Sequence, residues 1–188
     1  MEKQASENEY VKQWSKYMKW FFDYIPTKQK ADDNQWKIRK TIWDFKNGKC
    51  PLQAGAFIGN AILKQFGTEA KNIVFACIPA STSIKNEIRY KDFSEVVCRV
   101  SGTINAYDAI KIENDRLAIH ENEHRKNIDT VNVVNFDHHF FKKKKVLLFD
   151  DIITLGYSYA RFACELEHMG ANVLGGIFLG RTIETYNN

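Results

Sequence analysis

One stretch late in the chain, V-L-L-F-D-D-I-I-T-L-G-Y-S over residues 146–158, constrains the fold most strongly. Its four leading apolar residues lie between a lysine run and an acidic pair, which is typical of a strand buried on both faces. A helix is predicted next, because apolar residues recur every three or four positions from 157 to 169 and Gly170 can end the helix. Residues 172–179 then form a second apolar strand. This βαβ pattern places the intervening turn at the carboxyl edge of a parallel sheet, where such folds bind ligands.

The residue types in this turn predict its chemistry. Thr154, Gly156 and Ser158 place hydroxyls and backbone N–H groups at a helix N-terminus, where a phosphate is favoured. Asp150 and Asp151 come just before the turn. Two carboxylates would repel a phosphate unless they bind hydroxyls or a divalent cation instead. A sugar phosphate with free hydroxyls satisfies both requirements.

The stretch resembles the phosphoribosyl pyrophosphate (PRPP) loop of type I phosphoribosyltransferases, which has the form apolar strand, D-D, two variable residues, T-T-G, one variable residue, and T or S. The resemblance implies an α/β fold with a mostly parallel central sheet flanked by helices and with an N-terminal helical hood. It also implies that the two acids, Asp150 and Asp151, bind the ribose hydroxyls, act in catalysis and hold Mg²⁺ directly or indirectly. The residues implied in binding the 5′-phosphate are Ile153, Thr154, Leu155, Gly156, Tyr157 and Ser158. Leu155 departs from the pattern, since it removes the hydroxyl of the usual second Thr and keeps only its backbone N–H.

The first strand of the predicted core, residues 72–78, is followed directly by P-A-S-T-S. Small residues and hydroxyls at the carboxyl edge of the sheet could line the same site. In the family this resembles, the loop at this place contacts pyrophosphate, which implies that role for Ala80, Ser81 and Thr82. An ordinary polar loop is the alternative interpretation.

Basic residues follow, among them Lys85, Arg89 and Lys91, before a helix that is predicted to begin at Asp92. Asp92 and Glu95 have the spacing of a capping box. The family has a mobile loop here whose basic residues close over pyrophosphate, which implies that Arg89 and Lys91 bind it. The R-Y-K-D-F sequence loosely resembles the R-G-F-N of the ComF branch, and a solvated charged loop is the alternative.

Three helices are predicted in the first third of the chain: residues 9–24, 36–45 and 51–66. The first carries an aromatic stripe, which we interpret as packing on the core, with a surface for a base or a partner as the alternative. The predicted domains are a helical hood or subdomain over residues 1–66 and a phosphoribosyltransferase-like core over residues 67–188. In the family the hood sets base specificity, and this hood carries no recognisable base motif.

The H-E-N-E-H sequence of residues 120–124 matches the H-E-x-x-H motif of zinc peptidases. That chemistry needs both His residues on one helical face and a third ligand. The surrounding residues lack a helical apolar stripe, so a zinc site is disfavoured. The E-H-R-K-N-I sequence of residues 123–128 resembles instead a segment of ComF-like proteins.

Composition adds few constraints. The 188 residues, with 44% hydrophobic content, suffice for one core, and the net charge of +4 suits an anionic small molecule. The four cysteines stand far apart without a C-x-x-C pair, which favours reduced thiols, and no apolar run approaches a membrane span, so we expect a cytoplasmic protein. The lysines of residues 142–145 weakly suggest nucleic acid, but a solvated loop explains them better.

The resemblance therefore implies a type I phosphoribosyltransferase of the ComF-like branch, with Mg²⁺ as cofactor, that transfers ribose 5-phosphate from PRPP to a nitrogenous base and releases pyrophosphate. The alternative is a ComF-like protein that binds PRPP or a nucleotide without turnover and acts in DNA uptake or regulation. The acceptor base stays open, and so does the existence of a homodimer.

Overall fold

The computed structural model describes residues 7–114 and 132–183. The helices in these ranges are α1 (Glu7–Trp14), α2 (Asp33–Lys46), α3 (Pro51–Phe66), α4 (Ser83–Ser101), α5 (His138–Phe141) and α6 (Tyr157–His168). The strands are β1 (Tyr17–Tyr24), β2 (Ile73–Cys77), β3 (Ile104–Asn105), β4 (Ile110–Asn114), β5 (Asn132–Phe136), β6 (Lys145–Ile153) and β7 (Asn172–Thr182).

The main sheet has five strands in the order β1-β7-β6-β2-β3, and every pairing in it is parallel. A separate antiparallel pair is formed by β4 and β5. Since parallel strands end at the same edge, the segments that follow β2, β6 and β7 come together there. The predicted α/β class, with a mostly parallel sheet flanked by helices, is confirmed.

Helices cover both faces of this sheet. On one face, side chains such as Leu148 and Phe178 pack against α6 in one buried apolar cluster. On the other face, Leu147 and Phe149 pack in a second cluster with residues of α2, α3 and α4. Burial on both sides explains the unbroken apolar sequence of β6. The helices and strand predicted around residues 36–45, 51–66 and 72–78, and the βαβ unit of residues 146–179, are all confirmed within a few residues.

The prediction of one helix over residues 9–24 is wrong. The helix stops at Trp14, and residues from Tyr17 onwards form β1, an edge strand beside β7. Aromatic residues favour strands, and their spacing here also fits a strand that pairs with a distant partner. Gly175 permits the pairing, because a Cβ there would overlap the backbone carbonyl of Tyr17. Part of the predicted N-terminal hood is thus built into the sheet, and the two-domain division stays a prediction.

The predicted start of a helix at Asp92 is also wrong. Helix α4 begins at Ser83, and the side chain of Thr82 caps it by accepting a hydrogen bond from the Lys85 amide at 3.2 Å. The S-T-S sequence was interpreted as a site loop, yet Thr is also a preferred N-cap residue. The basic residues predicted to lie on a mobile loop are therefore helical.

Arg39 on α2 is almost fully buried and fixes the turn that follows β1. Its guanidinium donates to the carbonyls of Ile25, Pro26 and Gln29 at 2.9, 2.6 and 2.9 Å. These three carbonyl groups lie just beyond the end of β1, where no neighbouring strand can pair with them, so Arg39 supplies the hydrogen bonds that the sheet does not. Helix α2 and the carboxyl end of β1 are held together in this way.

The H-E-x-x-H motif and the neighbouring ComF-like segment lie outside the described residues. The four cysteines are free thiols, of which Cys50 is exposed and Cys164 is buried. Among the described helices, none combines the length and apolar character needed to cross a membrane.

Candidate functional site

A cleft of about 210 Å³ lies at the carboxyl end of β6. It is lined by Asp150, by the turn of residues 152–158, and by Tyr159 and Phe178. The structure therefore brings one of the two predicted acids together with all six predicted residues of the 5′-phosphate turn. The position is the edge of a parallel sheet at which α/β folds bind ligands.

The turn ends at the N-terminus of α6 with its amide groups uncapped. Gly156 is the N-cap residue at φ +70°, and the Ala160 amide donates to its carbonyl at 2.9 Å. The amides of the helix's first turn have no intrahelical acceptor, no side chain of the described residues caps them, and the first turn carries no acidic residue. The helix dipole and these N–H groups make the turn suited to a phosphate.

Trp14, the last residue of α1, lies against this turn. A Cβ at position 156 would overlap its indole ring, although the side chain is still 40% exposed. Helix α1 is held on α6 because Glu167 accepts hydrogen bonds from Gln13 at 2.8 Å and from Lys16 at 2.7 Å. An aromatic residue of the N-terminal segment therefore packs against the turn of residues 152–158.

We expect Gly156→Ala to weaken phosphate binding by about fivefold, because the free turn relaxes from a left-handed conformation that costs a residue with a Cβ roughly 1 kcal/mol, and because the methyl group displaces Trp14. Calorimetry with ribose 5-phosphate measures this loss. The double variant Gly156→Ala/Trp14→Ala should regain part of the affinity, since the clash is then gone. Equal losses in the single and double variants would show that the ring does not constrain the turn.

The side chains of the turn differ in what they can offer a ligand. The hydroxyl of Thr154 shares a hydrogen bond of 2.9 Å with the hydroxyl of Thr182. Leu155 and Tyr157 are each 69% exposed, so the residue that departs from the resemblance projects away from the core. Arg181, at the end of β7, stacks over the ring of Trp20 at 4.7 Å from its centroid.

The two acids stand in different surroundings. Asp150 borders the cleft, and its Oδ1 accepts hydrogen bonds from the Asp151 amide at 2.8 Å and from the Tyr90 hydroxyl at 3.3 Å. Removal of the carboxyl from water, with the nearby charge of Asp151, raises the pKa of Asp150 to about 7. Asp150 is therefore a cleft carboxyl that can gain or lose a proton near neutral pH.

Asp151 faces the opposite direction and is only 5% exposed. Its Oδ2 lies 2.6 Å from Nη1 of Arg89, and its Oδ1 lies 3.1 Å from Nζ of Lys46. Each oxygen is thus paired with a cation, as expected for a buried carboxylate. In this arrangement Asp151 does not reach the cleft. Its predicted ribose role requires both ion pairs to break so that the carboxylate can turn towards the cleft.

The predicted pyrophosphate residues are only partly brought together. The Ala80 amide donates to Asn86 Oδ1 at 3.1 Å and Thr82 caps α4, so both belong to the loop that joins β2 to α4. Ser81 in the same loop is exposed. Arg89 pairs with Asp151, whereas Lys91 pairs with Glu87 at 2.9 Å on the exposed side of α4. Pyrophosphate binding by these residues stays a prediction.

Within the described part of the chain, the predicted acids do not by themselves complete a Mg²⁺ site. Among residues 7–114 and 132–183, no group of three His, Cys, Asp or Glu side chains could hold a metal ion. Both oxygens of Asp151 are already paired with cations, so only Asp150 of the predicted pair borders the cleft. One carboxylate without further oxygen ligands is a weak site for this cation.

Sequence reasoning missed three residues of the site: Trp14, Lys46 and Tyr90. Trp14 belongs to the aromatic stripe of the first predicted helix, for which the sequence favours packing on the core over a binding surface, and no sequence signal connects it to Gly156. Lys46 is an ordinary basic residue in the last turn of α2. Tyr90 stands beside Arg89 in the sequence, and only its position on a helix shows that it points inwards.

No protein-family model and no curated protein matches this sequence. Similar solved structures include phosphoribosylpyrophosphate synthetase from Mycobacterium smegmatis, with 18% identity and a TM-score of 0.41 over 71% of this chain and 34% of the synthetase. Another is a hypoxanthine phosphoribosyltransferase from Staphylococcus aureus, with 10% identity and a TM-score of 0.39 over 74% of this chain and 77% of that one. The chain spans about a third of the synthetase's length (34%). Neither similarity identifies a branch such as ComF, which stays a prediction.

Proposed function

We propose that the chain is a phosphoribosyltransferase that binds PRPP in the cleft at the carboxyl end of β6. One observation carries the proposal: the uncapped N-terminus of α6 and the carboxyl group of Asp150 line the same cleft. The helix N-terminus suits a phosphate, and the carboxyl group can accept a hydrogen bond from a sugar hydroxyl or take a proton. A phosphorylated ribose presents both partners on one small molecule.

Each part of the cleft has a distinct task in this proposal. The amides at the start of α6 hold the 5′-phosphate, and Asp150 accepts a hydrogen bond from a ribose hydroxyl. The bond from C1′ to nitrogen forms as the bond from C1′ to the pyrophosphate oxygen breaks, and the electron pair leaves with pyrophosphate. The ionised Asp150 carboxylate then takes the N–H proton of the acceptor. Catalysis comes from positioning and from fixed charges rather than from a covalent intermediate.

A magnesium ion belongs to the substrate in this proposal, because the described donor set does not hold one. Its chemistry when bound would be to offset the charge of the leaving pyrophosphate. Of the two predicted acids, Asp150 is the one that lines the cleft. Arg89 and Lys46 supply the protein's own positive charge at this edge of the sheet.

Binding without turnover is the second candidate. The observation in its favour is the double ion pair of Asp151, which withdraws one of the two acids from the cleft. Leu155 also leaves the turn with one hydroxyl fewer than the family pattern. A protein of this kind would hold PRPP or a nucleotide and release no pyrophosphate.

The deciding experiment is calorimetry with PRPP and Mg²⁺, followed by a pyrophosphate-release assay over a panel of purine, pyrimidine and pyridine bases. We expect micromolar to millimolar binding and release with at least one base. Binding without release over the whole panel would favour the second candidate. If PRPP, ribose 5-phosphate and a panel of nucleotides all fail to bind at millimolar concentration, both candidates are wrong.

A further inference from the structure

We propose that the chain forms a symmetric dimer in which strand β1 of one protomer pairs, in antiparallel orientation, with β1 of a second copy. The two five-stranded sheets are then continuous across the interface. No residue of β1 lines the cleft at the end of β6, so the dimer is independent of the proposed function.

β1 lies at the end of the sheet, and its outer side pairs with no strand among the described residues. The carbonyl of Tyr24 accepts a hydrogen bond from the Ile183 amide at 3.0 Å, so Tyr24 faces β7. Because backbone groups alternate between the two sides of a strand, Lys19, Phe21 and Asp23 direct their N–H and C=O groups outwards. Such a row of unpaired groups is a template for another strand.

The charges along this outer side are self-complementary. Lys19 and Asp23 are exposed and form no ion pair within the described part of the chain. They stand two residues before and two residues after Phe21. When β1 pairs with an antiparallel copy about a twofold axis at Phe21, Lys19 of each protomer lies opposite Asp23 of the other. A lysine on an edge strand normally discourages pairing, but here the second copy supplies the matching acid.

The charges also select one register among those that the backbone permits. With the axis at Phe21, the outward groups of Phe21 meet those of its copy, and the outward groups of Lys19 meet those of Asp23. Moving the axis by one residue in either direction keeps hydrogen-bonded pairs but leaves both charges opposite uncharged residues. Only the register centred on Phe21 therefore satisfies the hydrogen bonds and the charges together.

An aromatic pair beside the strand adds apolar surface to the interface. The ring of Phe21 packs against Phe57 of α3 at a centroid distance of 4.6 Å, and Phe57 is 46% exposed. The twofold axis runs perpendicular to the sheet, so α3 and its copy lie on the same face and the two aromatic pairs approach each other. Apolar burial and strand pairing supply the affinity, whereas exposed ion pairs contribute little. Neutralising one charge, as in Asp23→Asn, should therefore weaken the dimer only slightly.

The first test is sedimentation velocity of the purified full chain between about 5 and about 200 μM, a range over which mass action shifts a monomer–dimer equilibrium. We expect a dimer at the upper end and no larger species, because β3 at the other end of the sheet has only two residues. A protein that stays monomeric at the highest concentration, or that forms larger assemblies, would overturn the proposal.

The second test reverses the charges one at a time. Lys19→Asp places acid opposite acid at two points of the interface, and Asp23→Lys places lysine opposite lysine, so each variant alone should dimerise at least about tenfold more weakly. An equimolar mixture of the two variants should dimerise as well as the wild-type protein, since every charge then faces its opposite. A strand that was merely destabilised by the substitutions would not be rescued by mixing.

Lys111→Asp and Asp108→Lys are the matched controls, because both residues are exposed and follow β3 at the far end of the sheet. Each should leave the dimer intact. A folded Lys19→Asp protein that dimerises like the wild type, or folded variants that do not associate on mixing, would show that β1 is not the interface.

A third measurement uses the wild-type protein and does not depend on the folding of a variant. Amide hydrogen exchange, followed by NMR in dilute and in concentrated solution, should be at least about tenfold slower at Lys19, Phe21 and Asp23 when the dimer forms, because these amides then donate to the second copy. Exchange rates at these three amides that do not depend on protein concentration would also overturn the proposal.

Discussion

The Asp150→Asn variant is expected to be more stable than the wild-type protein at pH 8 and to lose pyrophosphate release by at least about a hundredfold. Asn keeps the shape of the side chain but can neither ionise nor take the acceptor's proton. At pH 8 it also relieves the cost of a charge held away from water, so Tm should rise by about 3–6 °C. Thermal unfolding and the pyrophosphate-release assay measure the two effects on the same preparation.

The sign of the stability effect follows from the titration of Asp150. Its pKa is about 7 in the folded protein and 3.8 as the ordinary value, so the folded state binds the proton more tightly than the unfolded state. Wild-type stability therefore falls as the pH rises from about 3.8 to about 7 and is level with respect to this group above that range. The gain from Asn should be full at pH 8 and smaller at pH 5.

Asp23→Asn is the matched control, because Asp23 is an exposed acid near the end of β1 at the same edge of the sheet. It should change neither Tm nor turnover. A lower Tm for Asp150→Asn at pH 8 would show that the Asp150 charge is well compensated. Unchanged pyrophosphate release would remove Asp150 from the proposed reaction.

The core of the site could be predicted from sequence because its signals are local. The strand, the acids, the turn and α6 follow one another within residues 146–169, and the resemblance to a PRPP loop covers the same residues. A βαβ unit of this kind also determines at which sheet edge the turn lies. The placement of Asp150 and the turn on one cleft needed no information from distant parts of the chain.

The rest of the site depends on contacts that sequence patterns do not carry. The aromatic run of β1 fits a helix or a strand, and only its pairing with β7 decides between them. Within the S-T-S sequence after β2, Thr82 caps α4, so the residues predicted to form a basic loop are helical. This helical position places Arg89 beside Asp151. The resemblance gives both acids the same ribose role, although neighbouring side chains on a strand point to opposite faces, and it does not show that Asp151 would meet cations.

The second large effect is expected for Asp151→Asn, which should lower the free energy of unfolding by about 2–3 kcal/mol. The substitution leaves the guanidinium of Arg89 largely buried without its carboxylate and removes the partner of Lys46. We place the loss at the low end of values for buried pairs, because Lys46 is partly exposed. Urea unfolding at pH 7 measures it.

Asp44 provides a matched control, since it also accepts from two lysines, Lys40 at 2.6 Å and Lys49 at 3.0 Å, but does so at the surface. Asp44→Asn should therefore cost little, because water replaces an exposed ion pair at almost no loss. Adding Arg89→Gln to Asp151→Asn should recover part of the stability, since no uncompensated charge then stays buried. Equal losses for Asp151→Asn and Asp44→Asn would mean that Asp151 is not a buried anchor, and its carboxylate would then be free to turn towards ribose as the sequence predicted. The two acids are thus expected to affect stability with opposite signs. Removing the charge of Asp150 should raise the free energy of unfolding, whereas removing the charge of Asp151 should lower it.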